Sequence, residues 1–271
     1  MKNRRVRVTM MMKLHLLALL VVNVWSLSPR RTIKRFEWCL TRRGGEEACD
    51  AGSGSDGILD HAETNDPAVK LLRETVLWRG KWRSVFQRAV HIPGAKQTQI
   101  EFDVLSSNHG DESVFVVAWD SASCTATLIR EYHPGPNEWQ FGVVAGGYEG
   151  KHATPLDAAQ SELEEEARMI GGTWVPLVTR QGAGSLPISQ DKYTTAKFHV
   201  YLVVDARAVD DQEAADLKAP DDEESIRVVH GVSVERLYQL IQEAKINVPS
   251  SYAIFMALRK LSAMGLLASS E

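Results

Sequence analysis

Cysteine is scarce in this chain of 271 residues, which has only Cys39, Cys49 and Cys124. An odd number of cysteines, with no Cys-x-x-Cys pair among them, excludes a disulfide framework. Cys39 and Cys49 are able to pair in an oxidising compartment, but the sequence favours unpaired thiols without a role. The apolar share of 44% and the charged share of 24% are typical of a globular protein with one or two domains.

Positive charge is missing from most of the chain. Nine of the 31 lysines and arginines lie in residues 1–36, which contain no acid, so the rest of the chain carries 22 basic and 35 acidic residues, a net charge near −13. Because the phosphates of a nucleic acid require a basic surface, this balance argues against nucleic-acid binding. An anionic substrate would need a metal ion or a local positive pocket.

The N-terminal region has no apolar run long enough to cross a bilayer. Residues 14–25 form a largely apolar run of twelve after a basic stretch that ends at Lys13. Small Ser26 follows, as at a cleavage site, and the next residues, LSPRRTIKRF, are basic and hydroxylated. Residues 1–36 are therefore predicted to be a signal peptide plus a basic transit-like segment. This predicts entry into the secretory pathway and suggests a plastid, with secretion, an endomembrane location or an uncleaved anchor as alternatives.

The rest of the chain divides into a linker and one domain. Residues 37–69 are predicted to be a disordered linker, because residues 44–66 are mostly glycine, serine or acidic and few of them can be buried. Residues 70–271 are predicted to form a mixed α/β domain, with helices at 233–244 and from Ser250 to Leu261. Segments rich in β-branched and aromatic residues predict strands at 84–92, 98–106, 113–120, 125–132, 140–146, 174–180, 197–206 and 224–232.

Four acids occupy five positions, from Glu162 to Glu166, in the stretch GGYEGKHATPLDAAQSELEEEARM. Thr154 followed by Pro155 is typical of a helix start, which predicts a helix over 154–169. At 100° per residue, the apolar stripe of this helix is predicted to consist of Leu156, Ala159, Leu163, Ala167 and Ile170.

Three of the acids, Glu162, Glu165 and Glu166, share one arc beside this stripe, whereas Glu164 points elsewhere and is predicted to pair with Arg168 on the surface. Carboxylates on adjacent turns repel one another unless a cation neutralises them. Carboxylate oxygens on a rigid helix, with room for water and phosphate, suit Mg²⁺ or Mn²⁺. Taken alone, the same pattern is also typical of a solvated charged face.

This segment resembles a Nudix box, G-x5-E-x7-R-E-U-x-E-E-x-G-U, in which U is aliphatic. Three positions depart from it: Ala153 replaces the first Glu, Ser161 replaces the Arg and Arg168 replaces the second Gly. If Gly146 is the family glycine, His152 stands in place of the first Glu. The positions that match are Gly147, Glu162, Leu163, Glu165, Glu166 and Met169.

Two of the departures carry structural expectations. The box Arg normally holds a catalytic Glu through a charge-assisted hydrogen bond, and Ser161 is expected to be too short and neutral to do so. Arg168, in place of a glycine, predicts that the helix continues for most of a turn and stops at Gly171 and Gly172.

The flanking residues resemble the ADP-ribose and ADP-sugar pyrophosphatases of the same family. The likeness lies in TLIREYHPGP…VVAGG before the box and in DDEESIRVVHGV with the helical residues that follow it, and it covers residues 74–262. It implies a Nudix α/β/α sandwich with a mixed sheet, preceded by extra N-terminal strands, SVFQRAVHI and TQIEFDVLS. Because that subfamily commonly pairs through such strands, a homodimer is expected.

The resemblance also implies metal-dependent hydrolysis of a nucleoside diphosphate sugar, ADP-ribose or an ADP-sugar, to AMP and a sugar phosphate. The implied metal ligands are Glu162, Glu165, Glu166 and a backbone carbonyl of Ala145 or Gly146. The implied catalytic residues are Glu224, which would orient or deprotonate the attacking water, its neighbours Glu223 and Asp222, which could substitute for it, and Glu165. The implied substrate-binding residues are Arg130, His133 and Trp139.

Two other functions fit the sequence. Because the box is degenerate at Ala153, Ser161 and Arg168, the chain could be a Nudix-fold module that binds a nucleotide sugar with little turnover. It could also be an interaction protein that docks through its acidic helix, although Leu156 and Leu163 are expected to be buried beside the acids.

Overall fold

The computed structural model describes residues 68–180, 184–210 and 225–267. The chain separates into two units, Met1–Ala62 and Glu63–Glu271, and every described residue lies in the second. The predicted signal peptide and transit-like segment, with nearly all of the predicted linker, lie outside the described residues. Within the described ranges, no helix is both long and apolar enough to cross a membrane.

The described residues form thirteen strands and three helices. The helices are α1 (Pro155–Ala167), α2 (Val234–Gln242) and α3 (Val248–Ala263). The strands are β1 (Lys70–Arg79), β2 (Arg83–His91), β3 (Ile100–Ser107), β4 (Glu112–Asp120), β5 (Thr125–His133), β6 (Glu138–Gly142), β7 (Val144–Gly147), β8 (Met169–Ile170), β9 (Thr173–Pro176), β10 (Ile188–Ser189), β11 (Lys197–Val204), β12 (Arg207–Ala208) and β13 (Arg227–Val232).

The main sheet is mixed. Its strands follow the order β10-β11-β4-β5-β13, with β6 on β5, β7 on β4 and β9 on β11. Strands β4 and β11 pair in parallel from Glu112 with Lys197 to Trp119 with Val204, and the other pairings are antiparallel. A parallel pair requires a crossover connection, and this crossover carries α1 onto one face of the sheet.

Alternating residues of β4 face two separate apolar cores. Val114, Val116 and Ala118 belong to the core that contains Ala159 and Leu163 of α1. The residues between them, such as Val117 and Trp119, belong to the core that contains residues of α2 and α3. The sheet therefore lies between α1 on one face and α2 with α3 on the other, which is the predicted α/β/α arrangement.

Three strands precede this sandwich and form a sheet of their own, in the order β1-β2-β3. Strands β2 and β3 match the predicted segments 84–92 and 98–106 within two residues. The sequence does not predict β1, because the apolar residues of KLLRETVLWR come in adjacent groups rather than in alternation. Every residue of β1 is exposed, and its larger apolar side chains, Leu71, Leu72, Val76, Leu77 and Trp78, are 44–56% exposed.

The predicted start of α1 is confirmed by its cap. The Thr154 hydroxyl accepts a hydrogen bond from the Asp157 backbone, and the Asp157 carboxylate accepts one from the Thr154 backbone. The predicted continuation of the helix to Gly171 is wrong. Helix α1 ends at Ala167, and Arg168 adopts the left-handed conformation, φ 53° and ψ 44°, that favours glycine. Its backbone N–H caps the helix on the Leu163 carbonyl.

Helix α3 begins earlier than predicted. Asn247, not Ser250, is the cap, because the Asn247 side chain accepts a hydrogen bond from the Ser250 backbone at 2.9 Å. The Ser250 hydroxyl instead lies 3.3 Å from the backbone N–H of Val143 and accepts a hydrogen bond from it, so it ties α3 to the sheet.

Candidate active site

Helix α1 packs on the sheet through the predicted stripe, except that Ile170 lies beyond the end of the helix, in β8. Ala159 and Leu163 are buried, and Leu156 is partly buried against the same core. This apolar contact places Glu162, Glu165 and Glu166, all half-buried, beside the sheet. Glu164 is half-buried as well, so its contrast with the other three acids is smaller than expected.

The predicted surface pair between Glu164 and Arg168 is wrong. Within the described ranges, no ion pair joins the two side chains. The reason is that Arg168 has left the helix, so the i,i+4 geometry no longer applies. Its Nη1 atom is instead buried and has no hydrogen-bond partner.

Glu162 lies directly against the end of β7. A Cβ placed on Gly146 would lie 2.0 Å from Cδ of Glu162 and within 2.3 Å of both of its carboxylate oxygens. Such distances are far shorter than any van der Waals contact, so the carboxylate occupies space that only a glycine leaves open. The observed position of the Glu162 carboxylate therefore requires a glycine at position 146.

Glu166 is hydrogen-bonded to Ala145, which precedes Gly146 on β7. The backbone N–H of Ala145 donates to Oε2 of Glu166 at 3.1 Å. A backbone donor to a carboxylate is a charge-assisted hydrogen bond, which fixes the orientation of the acceptor. Adjacent residues of β7 therefore contact two of the three predicted metal ligands.

Glu165 is oriented within its own helix. The Ser161 hydroxyl donates to Oε1 of Glu165 at 3.0 Å, across one turn. The expectation that Ser161 is too short to hold a carboxylate is therefore wrong, because a partner four residues away on the helix lies within reach. The hydrogen bond comes from a neutral hydroxyl, so it is weaker than the bond from an arginine would be.

The donor types at this position suit a hard cation. Carboxylate oxygens of α1 and backbone carbonyls of Ala145 and Gly146 are the ligands that Mg²⁺ and Mn²⁺ prefer. In the described ranges, no group of three or more His, Cys, Asp or Glu side chains is gathered closely enough to hold a metal ion. The chemistry of the site fits a divalent cation, while the full ligand set is not assembled.

The predicted catalytic acids Glu223 and Glu224, with their neighbour Asp222, lie outside the described residues. Their expected role stays a prediction.

His133 lies near the end of β5, two residues after Glu131. The two side chains follow the orientation of Ile129, which is buried in the core beneath α1, so both point to the α1 face. Nε2 of His133 lies 3.1 Å from Oε1 of Glu131, but the two atoms are not aligned for a hydrogen bond. His133 therefore shares a sheet face with the carboxylates of α1.

Arg130 and Trp139 point to the other face. Leu128, two residues before Arg130, belongs to the core beneath α2 and α3, and Phe141, two residues after Trp139, packs against the same core. The Arg130 guanidinium lies 5.9 Å from the centre of the Trp139 ring and 5.6 Å from that of Phe141. The structure thus brings Arg130 and Trp139 together, but apart from the carboxylates.

A buried polar chain on the α1 face of the sheet was not predicted. His199 is 3% exposed, with Nε2 3.1 Å from Oε2 of Glu112 and Nδ1 3.1 Å from the hydroxyl of Ser185. Burial raises the pKa of Tyr201, and a hydrogen bond with Ser185 opposes part of that rise. The available signal was a lone histidine in the apolar run KFHVYLVV, which by itself indicates a core position.

Comparison with known proteins supports the fold. No protein-family model and no curated protein matches the chain. Among solved structures, the chain is similar to one described as an ADP compounds hydrolase, at a TM-score of 0.59 and 16% sequence identity, over 75% of this chain and 99% of that one. The chain therefore shares the fold of that structure, and the predicted α/β/α sandwich with a mixed sheet and extra N-terminal strands is confirmed.

Proposed function

We propose that this protein is a metal-dependent hydrolase of a nucleoside diphosphate sugar, ADP-ribose or an ADP-sugar, and that it releases AMP and a sugar phosphate. The observation that supports this most strongly is the contact of Glu162 and Glu166 with adjacent residues of β7. A solvated charged face would not need a glycine beneath one carboxylate and a backbone donor to another.

The cation would be held by the acids of α1. Glu162, Glu165 and Glu166 would supply carboxylate oxygens, and Ala145 or Gly146 would add a backbone carbonyl. Bound Mg²⁺ or Mn²⁺ would neutralise pyrophosphate charge and lower the pKa of a water molecule. An acidic chain with a formal net charge of −4 would otherwise repel a substrate that carries two phosphates.

The chain's own residues orient these ligands. Ala145 holds Glu166 through its N–H, and Ser161 holds Glu165 through its hydroxyl. Gly146 leaves room for Glu162 to approach the strand. Glu224, or Glu223 beside it, would take the proton of the attacking water, and His133 would meet the substrate on the same sheet face.

A binding module is the second candidate. It is favoured by the neutral Ser161 in place of an arginine, and by the lack of an assembled three-acid cluster in the described ranges. Such a protein would bind the same nucleotide sugars without hydrolysing them at an appreciable rate.

The proposed oligomer is a homodimer joined through β1. This strand lies at the edge of its sheet and exposes apolar residues along its length. Unpaired edge strands with apolar side chains are normally covered in soluble proteins, and a second copy of β1 would cover this one.

The full chain with Mg²⁺ and a panel of nucleoside diphosphate sugars tests the proposed function, with phosphate measured after phosphatase treatment. We expect AMP and a sugar phosphate from at least one ADP-linked compound, and none when EDTA replaces Mg²⁺. Tight binding without turnover would support the binding module instead. If the chain neither binds nor hydrolyses any of these compounds, both candidate functions are contradicted.

A further inference from the structure

Three side chains from neighbouring strands meet on the sheet face that is opposite α1. They are Arg130 of β5, Arg227 of β13 and Trp139 of β6, here called the Arg-Trp cluster. Arg130 pairs in register with both Arg227 and Phe141, and Phe141 packs against the core beneath α2 and α3. Paired residues of adjacent antiparallel strands project from the same face, so Arg130 and Arg227 share this face with Phe141. Trp139 lies two residues before Phe141 on β6 and therefore projects from the same face.

Among the described residues, no acidic side chain balances the charges of the cluster. The guanidinium groups of Arg130 and Arg227 lie 5.9 and 5.7 Å from the centre of the Trp139 ring. Like charges directly opposite each other on adjacent strands destabilise a sheet. In the described ranges, no carboxylate pairs with either arginine, and Nε of Arg130 is buried without a hydrogen-bond partner. A buried donor without a partner calls for an anion or a water molecule.

Two other arginines are paired with carboxylates, as is expected of arginines that stabilise the fold. In the N-terminal sheet, Arg73 of β1 lies 3.1 Å from Glu101 of β3, and Arg88 of β2 lies 3.0 Å from Glu74 of β1. Those pairs neutralise charge within the fold. The Arg-Trp cluster instead gathers two cations around one aromatic ring, in a chain that is acidic overall.

We propose that the Arg-Trp cluster binds a nucleotide, with a phosphate on Arg130 and Arg227 and the base on Trp139. Two planar guanidinium groups match the oxygens of one phosphate through paired hydrogen bonds. The Trp139 ring is 37% exposed, and an aromatic base can stack on such a surface without a metal ion. This site lies on the opposite sheet face from Glu162, Glu165 and Glu166, so it is separate from the proposed hydrolytic centre and independent of its activity.

Calorimetric titration of the full chain with AMP in EDTA tests this site, because EDTA removes any metal-dependent binding at α1. Adenosine and inorganic phosphate are titrated separately. We expect AMP to bind, and each of the two fragments to bind at least about tenfold more weakly, because each keeps only part of the contacts. Arg227→Ala is the main variant, since Arg227 is exposed and its replacement leaves the core intact. It should weaken AMP binding by about tenfold or more, and Trp139→Ala should act in the same direction.

Two controls locate the site. Arg236→Ala removes an exposed arginine that already lies near Glu243, at 3.9 Å, and should leave AMP binding unchanged. Glu166→Gln alters the carboxylates of α1 and should also leave AMP binding in EDTA unchanged. The proposal is overturned if AMP does not bind in EDTA, or if Arg236→Ala weakens binding as much as Arg227→Ala. It is also overturned if Glu166→Gln abolishes binding, because that result would place AMP at α1.

Discussion

The carboxylate of Glu162 lies over the backbone of Gly146, so close that a methyl group on Gly146 would fall 2.0 Å from its Cδ atom. The contact joins the middle of α1 to the end of β7. It explains the glycine at position 146 without any appeal to a positive φ angle, because Gly146 does not have one. It also makes the position of the carboxylate testable by a single methyl group.

Gly146→Ala should displace Glu162 and lower hydrolysis by about tenfold or more, because misplacing a catalytic group by about 1 Å is costly. The fold should survive, since the group that must move is the end of a flexible side chain. Gly147→Ala is the matched control, because its new Cβ would lie 3.4 Å from the nearest atom, in Glu149. Steady-state rates and thermal melts of both variants check this prediction. Equal rates in the two variants would contradict the placement of Glu162.

Ser161→Ala removes the hydroxyl that donates to Glu165. We expect hydrolysis to fall severalfold, because one neutral hydrogen bond contributes about 1 kcal/mol, and that energy corresponds to a factor of about five in rate. Ser161→Thr keeps a hydroxyl at the same position and should retain most of the activity. The comparison uses kcat and KM at saturating Mg²⁺. An unchanged kcat in Ser161→Ala would show that the orientation of Glu165 does not matter.

The raised pKa of Tyr201 predicts how the stability of the fold changes at alkaline pH. Its side chain is buried, and this burial raises its pKa above 10.0. Because the folded state keeps the proton longer than the unfolded state, this contribution to stability is full below about pH 10 and is lost as pH rises through the folded pKa. Denaturant unfolding of Tyr201→Phe should therefore show a smaller loss of stability between about pH 9 and pH 11 than the wild type shows. Tyr193→Phe, at a ring that is 52% exposed, should behave like the wild type. Identical pH dependence in all three proteins would contradict this role of Tyr201.

Leu77→Asp tests the dimer. Leu77 is 53% exposed on β1, so a charge there should cost little within one subunit but should oppose pairing through this strand. Light scattering at micromolar concentration should show a dimer for the wild type and a monomer for the variant. Lys96→Asp, outside the strands, controls for the added acid and should remain dimeric. A monomeric wild type would contradict the proposed assembly.

The sequence was sufficient to predict α1 and its contact with the sheet. Thr154 and Pro155 mark the start of the helix, and its acids and apolar residues separate cleanly at 100° per residue. Several strands were likewise predicted from local pattern, because their residues alternate or are rich in β-branched side chains. Strand β1 was missed because its apolar residues are adjacent, and its exposure on both faces removes the burial that normally produces alternation.

Other features depend on contacts that a linear pattern does not contain. The end of α1 at Arg168 requires a left-handed residue where glycine would be expected, so the sequence suggested a longer helix. The separation of Arg130 from the carboxylates follows from which core each residue of β5 enters, and that orientation is set by the assembled sheet. Glu223 and Glu224 lie outside the described residues, so their roles stay predictions.

The measurement that tests the central claim most directly is the rate of ADP-ribose and ADP-sugar hydrolysis with Mg²⁺, in the wild type, Glu166→Gln and Glu164→Gln. Glu166→Gln keeps the shape of the side chain but removes the charge that would hold a cation, so the rate should fall by orders of magnitude while stability stays level or rises. Glu164→Gln, on the same helix but outside the arc that Glu162, Glu165 and Glu166 share, should keep nearly the full rate. Equal rates in the two variants, or no hydrolysis by the wild type, would contradict a hydrolytic centre built on Glu162, Glu165 and Glu166.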